Sequence, residues 1–449
     1  MRRRTLSWGC LALALVGCWS EEPRVDGFTA EQWTELRDQY KLREPRAACP
    51  GTGPGDVGWC DVGAGLGQRL FFEPALSANG QVACVTCHDP RKWYVDPRGT
   101  AVSLGTTNPT KHNTISVVNE IYRETFTWTG QCKDRTCTSP EYVILDIALP
   151  KAMGSSSDRV ATTILTNPEY SYLYKSAFGV PQDNVTLVAR VAAALHAYMR
   201  SLVSIDAPFD AYIEGNTDAL SAPARRGFEL FVGKAMCAEC HGGPMFTDNK
   251  VHVTGVAQRG ALAPPVDLGV DDRGGFFTPP LRDVENTGPY MHDGSLATLS
   301  DVIAFYRRGG DATGYVGDKD PLIVPLDLTD DEAKDLDAFL RSLTGPRIPD
   351  ALIADVRSSG ACPTGTMVCG ASCVDTTRDP LNCYACGISC GPAQACVNSS
   401  CVPETGCPAS QQSCGSGCVD VMVDPLSCGA CGNVCPMNKP NCSAGACGH

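Results

Sequence analysis

The sequence predicts a mainly α-helical chain in two related halves, followed by two small disulfide-rich repeats. The first observation is a pentapeptide, Cys-x-x-Cys-His, that occurs twice: Cys84-Val85-Thr86-Cys87-His88 and Cys237-Ala238-Glu239-Cys240-His241. The second is that the surroundings match. Gly67-Gln68-Arg69-Leu70-Phe71-Phe72 precedes one copy and Gly227-Phe228-Glu229-Leu230-Phe231 the other, so a short helix feeds each motif and the pair reads as an internal duplication. The third is a change of composition after residue 349. There Asp379-Pro380-Leu381 returns as Asp424-Pro425-Leu426, 45 positions on, inside two cysteine-dense blocks.

Bulk properties bound the rest. At 449 residues, and roughly 150 per domain, two to four domains are expected. A hydrophobic content of 43% supports real cores. The net charge of -13 argues against nucleic acid as a partner and suits a protein that meets basic ones. The 26 cysteines point to an oxidising compartment.

Taken in order, the chain opens with Arg2-Arg3-Arg4 and the apolar run Leu11-Ala12-Leu13-Ala14-Leu15-Val16, too short to span a bilayer. Leu15-Val16-Gly17-Cys18 resembles a bacterial lipobox, so residues 1–18 are expected to be a lipoprotein signal peptide and Cys18 to carry lipid. Plain secretion with a cut nearby is the alternative. Either way the protein is exported, to the periplasm or cell surface, and the lipid makes the membrane a partner. Residues 19–60 read as a tether with one amphipathic helix, Thr29 to Leu42, whose apolar contacts are Phe28, Trp33 and Leu36. Cys49 and Cys60 flank a glycine-rich turn and are expected to pair.

The first half spans 61–210. Its clearest helix runs from Val185 to Ser204, where Leu187, Val191, Leu195, Tyr198 and Leu202 fall near helical spacing; His196 within it reads as packed or solvated. The second half, 218–348, closes with a helix from Leu328 to Leu343, opened by Thr329-Asp330-Asp331-Glu332 in a capping-box pattern. The repeats occupy 362–401 and 407–447. Eight cysteines in each, with almost no aromatic residues, imply four disulfides per repeat, with 105 connectivities open. Zinc ribbons are the rival. The repeats resemble stigma-specific (Stig1-like) cysteine-rich modules, which implies adhesion or spacing.

The pentapeptides carry the chemistry. Two thiols add to the vinyl groups of a haem and the adjacent histidine becomes its proximal iron ligand. Half a zinc site or coincidence is the competing reading, and a second copy in matching surroundings weighs against both.

The run from Phe277 to Leu299, with Thr278-Pro279-Pro280-Leu281-Arg282-Asp283-Val284 and Pro289-Tyr290-Met291-His292-Asp293-Gly294, is distinctive. So is His241-Gly242-Gly243-Pro244-Met245-Phe246-Thr247-Asp248. Together with the two motifs, these resemble the bacterial di-haem cytochrome c peroxidase and MauG family over residues 61–343. The resemblance implies two cytochrome c-like haem domains, with a calcium ion and a tryptophan between the haems. His88 and His241 match the proximal ligands of the peroxidatic and electron-transfer haems. Asn113, Thr287 and Pro289 match the calcium ligands, the last two through backbone carbonyls, and hard oxygen donors of that kind suit Ca²⁺. Trp128 matches the inter-haem tryptophan. The family's distal ligand lies fourteen residues after the histidine of His292-Asp293-Gly294, which is Tyr306. Met291 is the competing thioether ligand.

At the first haem the pattern departs from the family. No histidine stands near Leu104-Gly105, which implies a haem open to peroxide without prior reduction. The family's distal glutamate falls on Ala152 and its glutamine on Tyr142. Heterolytic O–O cleavage needs a group that moves a proton, and alanine has none. Tyr142, His112 and Glu141 are the candidates to stand in. Cys132 and Cys137, in the intervening loop, are expected to form a disulfide. The implied activity is reduction of hydrogen peroxide with electrons from a small donor such as a cytochrome c. The alternatives are MauG-like oxidation of a protein substrate and a non-enzymatic electron carrier. The sequence leaves the oligomeric state open, with a homodimer as one candidate.

Overall fold

The computed structural model describes residues 24–42, 59–98, 112–130, 139–258 and 267–357, together with four hairpins and scattered turn residues between 367 and 448. The signal peptide with Cys18, Cys49 and the Cys60 side chain, Leu104-Gly105, and Cys132 with Cys137 lie outside the described residues.

In chain order the helices are α1 (Ala30–Tyr40), α2 (Trp59–Phe71), α3 (Pro140–Val143), α4 (Ser157–Thr166), α5 (Pro168–Phe178), α6 (Asn184–Met199), α7 (Pro208–Ile213), α8 (Ala222–Val232), α9 (Leu299–Arg307), α10 (Asp330–Arg341) and α11 (Asp350–Ile353). A π-helical segment, Ile144–Ala152, continues α3. Strands are short antiparallel pairs: β1 (Arg24–Val25) with β2 (Phe28–Thr29), and β3 (Val251–His252) with β4 (Phe276–Phe277). No helix among the described residues is long and apolar enough to cross a membrane.

The chain divides into two compact units: 1–50, 85–156 and 202–347 in one, 51–84, 157–201 and 348–449 in the other. The half expected over 61–210 is therefore shared between them. The reason lies in long-range pairing within the first unit. Asn113 N–H donates to the His292 carbonyl (2.6 Å), and Phe277 N–H to that of Trp128 (2.9 Å), which ties residues 112–130 to the second motif's half.

The core of the first unit is aromatic. Phe209, Tyr212, Phe228, Phe231, Phe246 and Phe339 are all fully buried, with Phe231 and Phe339 ring centroids 4.9 Å apart. Each such side chain contributes roughly 1.5–3 kcal/mol by leaving water. Of the tether expected over 19–60, residues 24–42 belong to the folded core. Thr29 caps α1 in a reciprocal pair with Gln32, and the helix buries Trp33 and Tyr40 in this same cluster. Thr329 and Glu332 form the expected capping box on α10. α10 crosses α8 at Gly227, where a Cβ would lie 2.0 Å from the Asp335 carbonyl oxygen.

The second unit repeats that device. α2 crosses α6 at Gly67, where a Cβ would lie 1.9 Å from the Ala194 carbonyl oxygen. Arg69 pairs with Glu169 of α5 at 2.6 Å. The α6 helix is capped by Asp183 and ends at Met199 rather than Ser204; His196 is half-buried on it. The cysteine-rich end gives two hairpins per repeat: β5 (Met367–Cys369) with β6 (Ser372–Val374) and β7 (Gln394–Val397) with β8 (Ser400–Pro403), then β9 (Gln412–Cys414) with β10 (Gly417–Val419) and β11 (Asn441–Ser443) with β12 (Ala446–Gly448). Disulfides join Cys383 to Cys396, Cys390 to Cys401 and Cys428 to Cys442. The first and last of these occupy equivalent places in the two repeats. Where these cysteines are described, oxidised pairs stand in place of the rival zinc site.

Candidate functional site

Both pentapeptides begin in a 3-10 turn, Cys84–Thr86 and Cys237–Glu239, and their four cysteines are thiols. Each histidine is pinned in the same way. His88 Nδ1 donates to the Tyr94 carbonyl and His241 Nδ1 to the Phe246 carbonyl, both at 2.9 Å. That bond fixes the ring and leaves Nε2 as the metal-binding nitrogen. Burial pushes both imidazoles below the usual histidine range, toward the neutral form that ligates. The acceptors share a feature that the sequence reading missed. Tyr94 (φ 59°) and Phe246 (φ 57°) both adopt the left-handed backbone, uncommon for aromatic residues, and both are fully buried. The only sequence signal is an aromatic residue six positions after His88 and five after His241.

One cavity of about 250 Å³ lies in the first unit, lined by His241, Cys237 and Cys240 and walled largely by apolar side chains. Asn113, Trp128, Thr287, Pro289, Met291 and Tyr306 all line it, so most of the residues expected to serve the second haem and the calcium ion come together there. The Tyr306 hydroxyl is held well above its ordinary range, first by burial and then by Cys237 and Cys240, which line the same cavity. Met291 shares the wall in a left-handed conformation (φ 69°).

Asn113 ties the wall together. Its backbone carbonyl accepts from Trp128 Nε1 (2.8 Å), and its Nδ2 donates to the Pro289 carbonyl (2.5 Å). Its Oδ1 is buried without a hydrogen-bond partner. A buried amide oxygen left bare beside a backbone carbonyl is a ready donor for a hard cation. His292 stacks on Phe276 (3.8 Å between centroids), and burial pushes its imidazole down to about 4.

His252 also reaches the cavity. Contact with Cys240, then hydrogen bonds to Asp320 (2.7 Å from Nδ1) and Asp248 (3.0 Å from Nε2), push it up to about 10, so it is cationic at neutral pH.

Other expected residues sit elsewhere. His112 pairs through Nε2 with Asp267 (2.7 Å) and packs edge-on to Phe276, outside the cavity wall. Tyr142 lies on α3, partly exposed, and Ala152 ends the π-helical segment; neither lines the cavity.

Thiols at haem-attachment spacing, pinned neutral imidazoles and an apolar cavity at one motif fit covalent haem. Comparison with known proteins agrees. Residues 62–218 match the family model described as di-haem cytochrome c peroxidase. The chain is 37% identical over 283 residues to the methylamine utilization protein MauG of Methylorubrum extorquens, covering 62% of this chain and 77% of that protein. It is 35% identical over 326 residues to cytochrome-c peroxidase IdrP1 of Denitromonas iodatirespirans, covering 64% and 82%. Among solved structures it resembles a MauG-like protein associated with microbial copper homeostasis, with a TM-score of 0.57 at 32% identity over 70% of this chain and 96% of the other.

Proposed function

The chain belongs to the di-haem cytochrome c peroxidase and MauG family, and we propose that it reduces hydrogen peroxide to water with electrons that enter at its second haem. It is an oxidoreductase, and membership implies two c-type haems. The observation that carries the reading is the matched pinning of His88 and His241 at 2.9 Å, which leaves each Nε2 for iron. Haem bound at the two motifs supplies redox-active iron, so that one peroxide, two electrons and two protons become two waters.

The chain's own residues divide the remaining work. Cys84, Cys87 and His88 would hold the peroxide-facing cofactor, and Cys237, Cys240 and His241 its partner, with Tyr306 in preference to Met291 as the further residue that would hold the second iron. Trp128, its indole N–H fixed on the Asn113 carbonyl, passes electrons between the two sites. Asn113, Thr287 and Pro289 hold Ca²⁺, and the bare Asn113 Oδ1 supports that assignment. Proton delivery falls to Tyr142, with His112, tied to Asp267, as the other candidate. The protein works outside the cytoplasm, anchored through lipid on Cys18, receives electrons from a small cytochrome c, and forms a homodimer. The Stig1-like repeats act in adhesion or spacing.

Tyr306 favours a second reading. A phenol oxygen on iron stabilises the ferric state, which suits MauG-like oxidation of a protein side chain. The test mixes the haem-loaded protein, fully oxidised and then half-reduced, with stoichiometric peroxide in a stopped-flow spectrometer while peroxide loss is followed. Rapid loss with spectral change in either state supports a peroxide-using enzyme. A reaction that needs no prior reduction favours the MauG-like branch. Unchanged spectra and intact peroxide in both states sink the enzyme reading.

A further inference from the structure

We propose that Arg123 is the anchor for a carboxylate of the haem seated at Cys237, Cys240 and His241. Arg123 lines the same cavity as those three residues and Tyr306. Among the described residues its buried Nε has no hydrogen-bond partner, and its one hydrogen bond is a 3.5 Å contact from Nη2 to the Val118 carbonyl. No ion pair involves it among the described residues. Burial pushes the guanidinium down to about 10, opposed by Glu120 and Asp283, so it remains a cation at neutral pH.

The neighbouring carboxylate of Asp283 is already engaged. Its Oδ1 accepts from Ser204 Oγ (2.8 Å) and the Gly345 N–H (3.0 Å), and its Oδ2 accepts from Asn119 Nδ2 (2.9 Å). The other cations on the wall are engaged as well. Arg282 reaches Asp210 through both Nη atoms (2.9 and 2.8 Å) and the Pro244 carbonyl through Nε (2.7 Å), while His252 lies between Asp320 and Asp248. Arg123 is thus the cation on this wall with donors to spare.

A buried guanidinium is stable only where a counter-charge meets it. A haem attached at Cys237 and Cys240 brings two carboxylates into this cavity, and the fork of a guanidinium matches a carboxylate with two parallel hydrogen bonds. The inference rests on the two-haem reading above.

The experiment measures the midpoint potential of each haem against pH in the full-length, haem-loaded protein, native and with Arg123→Gln or Arg123→Lys. A fixed positive charge beside a haem disfavours the ferric state, and it keeps the bound carboxylate ionised. R123Q should therefore lower the second haem's potential and make it vary with pH across neutrality, where the native potential is flat; R123K should recover most of the flat profile. An unchanged potential and profile in R123Q overturns the proposal, as does a change confined to the first haem. If R123Q fails to retain haem, native-like loading of R123K supports the proposal and equal loss in both overturns it. A free anion is the other source of counter-charge. Acetate or chloride shifting the native second-haem potential as far as R123Q does overturns a haem carboxylate. Native protein without covalent haem, read by haem stain on a denaturing gel before any variant is made, overturns the two-haem reading itself.

Discussion

Alanine at Gly67 places a Cβ 1.9 Å from the Ala194 carbonyl oxygen, 2.6 Å from its carbon and 3.0 Å from the Leu195 nitrogen. Ordinary contacts of this kind begin near 3.4 Å, so α2 and α6 must separate by about 1.5 Å at their crossing. All three obstructing atoms are helical backbone and cannot rotate away. Overpacking of this kind costs typically 1–3 kcal/mol, occasionally more. Alanine's better helix propensity returns only about 1 kcal/mol. Gly65, two residues earlier in the same helix, is the internal control, since its added Cβ meets only Arg69 Nη1 at 4.0 Å. There the propensity gain of about 1 kcal/mol stands alone. At roughly 2–4 °C per kcal/mol for a unit of 150–250 residues, the size of the one that holds α2 and α6, G65A should raise its Tm by about 2–4 °C, while G67A, at a net cost of about 0–2 kcal/mol, should give no rise and a fall of up to about 8 °C. Thermal unfolding of the full-length holoprotein, followed by far-ultraviolet circular dichroism, reads both. Equal stabilisation by the two variants would refute the close crossing.

Four further outcomes are expected. Y306F should change the ferric spectrum of the second haem while M291L leaves it native-like; the reverse pattern assigns the sixth ligand to Met291. Burial pushes the Asp283 carboxyl up to about 6 from 3.8, so the folded state holds the proton more tightly than the unfolded chain and stability falls as pH rises through 6. The span corresponds to about 3 kcal/mol, and urea unfolding from pH 4.5 to 7.5 should show a shallower decline in D283N; parallel curves would count against it. Chelation of calcium should lower Tm, because saturation at about a hundredfold over Kd stabilises by ~2.7 kcal/mol, and an N113A variant should be indifferent to the chelator. Non-reducing peptide mapping should recover Cys383 linked to Cys396 and Cys428 linked to Cys442; other partners would break the equivalence of the repeats.

What was legible in the sequence was local or repeated. Thr329 and Glu332, three residues apart, announce a helix start that needs no distant partner, and the α10 cap follows. The pentapeptides declare their chemistry by spacing alone. What was hidden depends on partners far along the chain. Helical periodicity runs on to Ser204, yet the Leu202 carbonyl accepts from the Asn119 N–H (2.8 Å) and the Ser204 N–H donates to Asn119 Oδ1 (2.7 Å). A partner more than eighty residues away leaves no mark on helical periodicity. Residues 24–42 looked like a tether because Trp33, Leu36 and Tyr40 are few apolar groups on a largely polar helix; the aromatic cluster that receives them is built mainly from α7, α8 and α10. Arg123 escaped notice for the same reason. An arginine in a loop looks solvated until the cavity beside it is known.

The duplication is visible on one side of each site and absent on the other. Gly67 and Gly227 each let a helix press onto the backbone of a partner helix, and each crossing lies shortly before a motif. His88 and His241 each donate to the carbonyl of a left-handed aromatic residue. These shared parts attach and orient a cofactor, and they set no difference between the halves. The difference must come from what faces the opposite side of each haem. On the proposed assignment, Tyr306 closes that side at the second site, which leaves electron exchange as its work. By the family resemblance Ala152 falls where the first site would carry its distal acid, and the sequence around Leu104-Gly105 holds no histidine. On that assignment peroxide would meet the first site, where Ala152 offers no proton and Tyr142 or His112 would have to supply it. Slow turnover by an open first site is the expected behaviour, and it is also what a protein-oxidising enzyme needs if it is to keep oxidising equivalents long enough to use them.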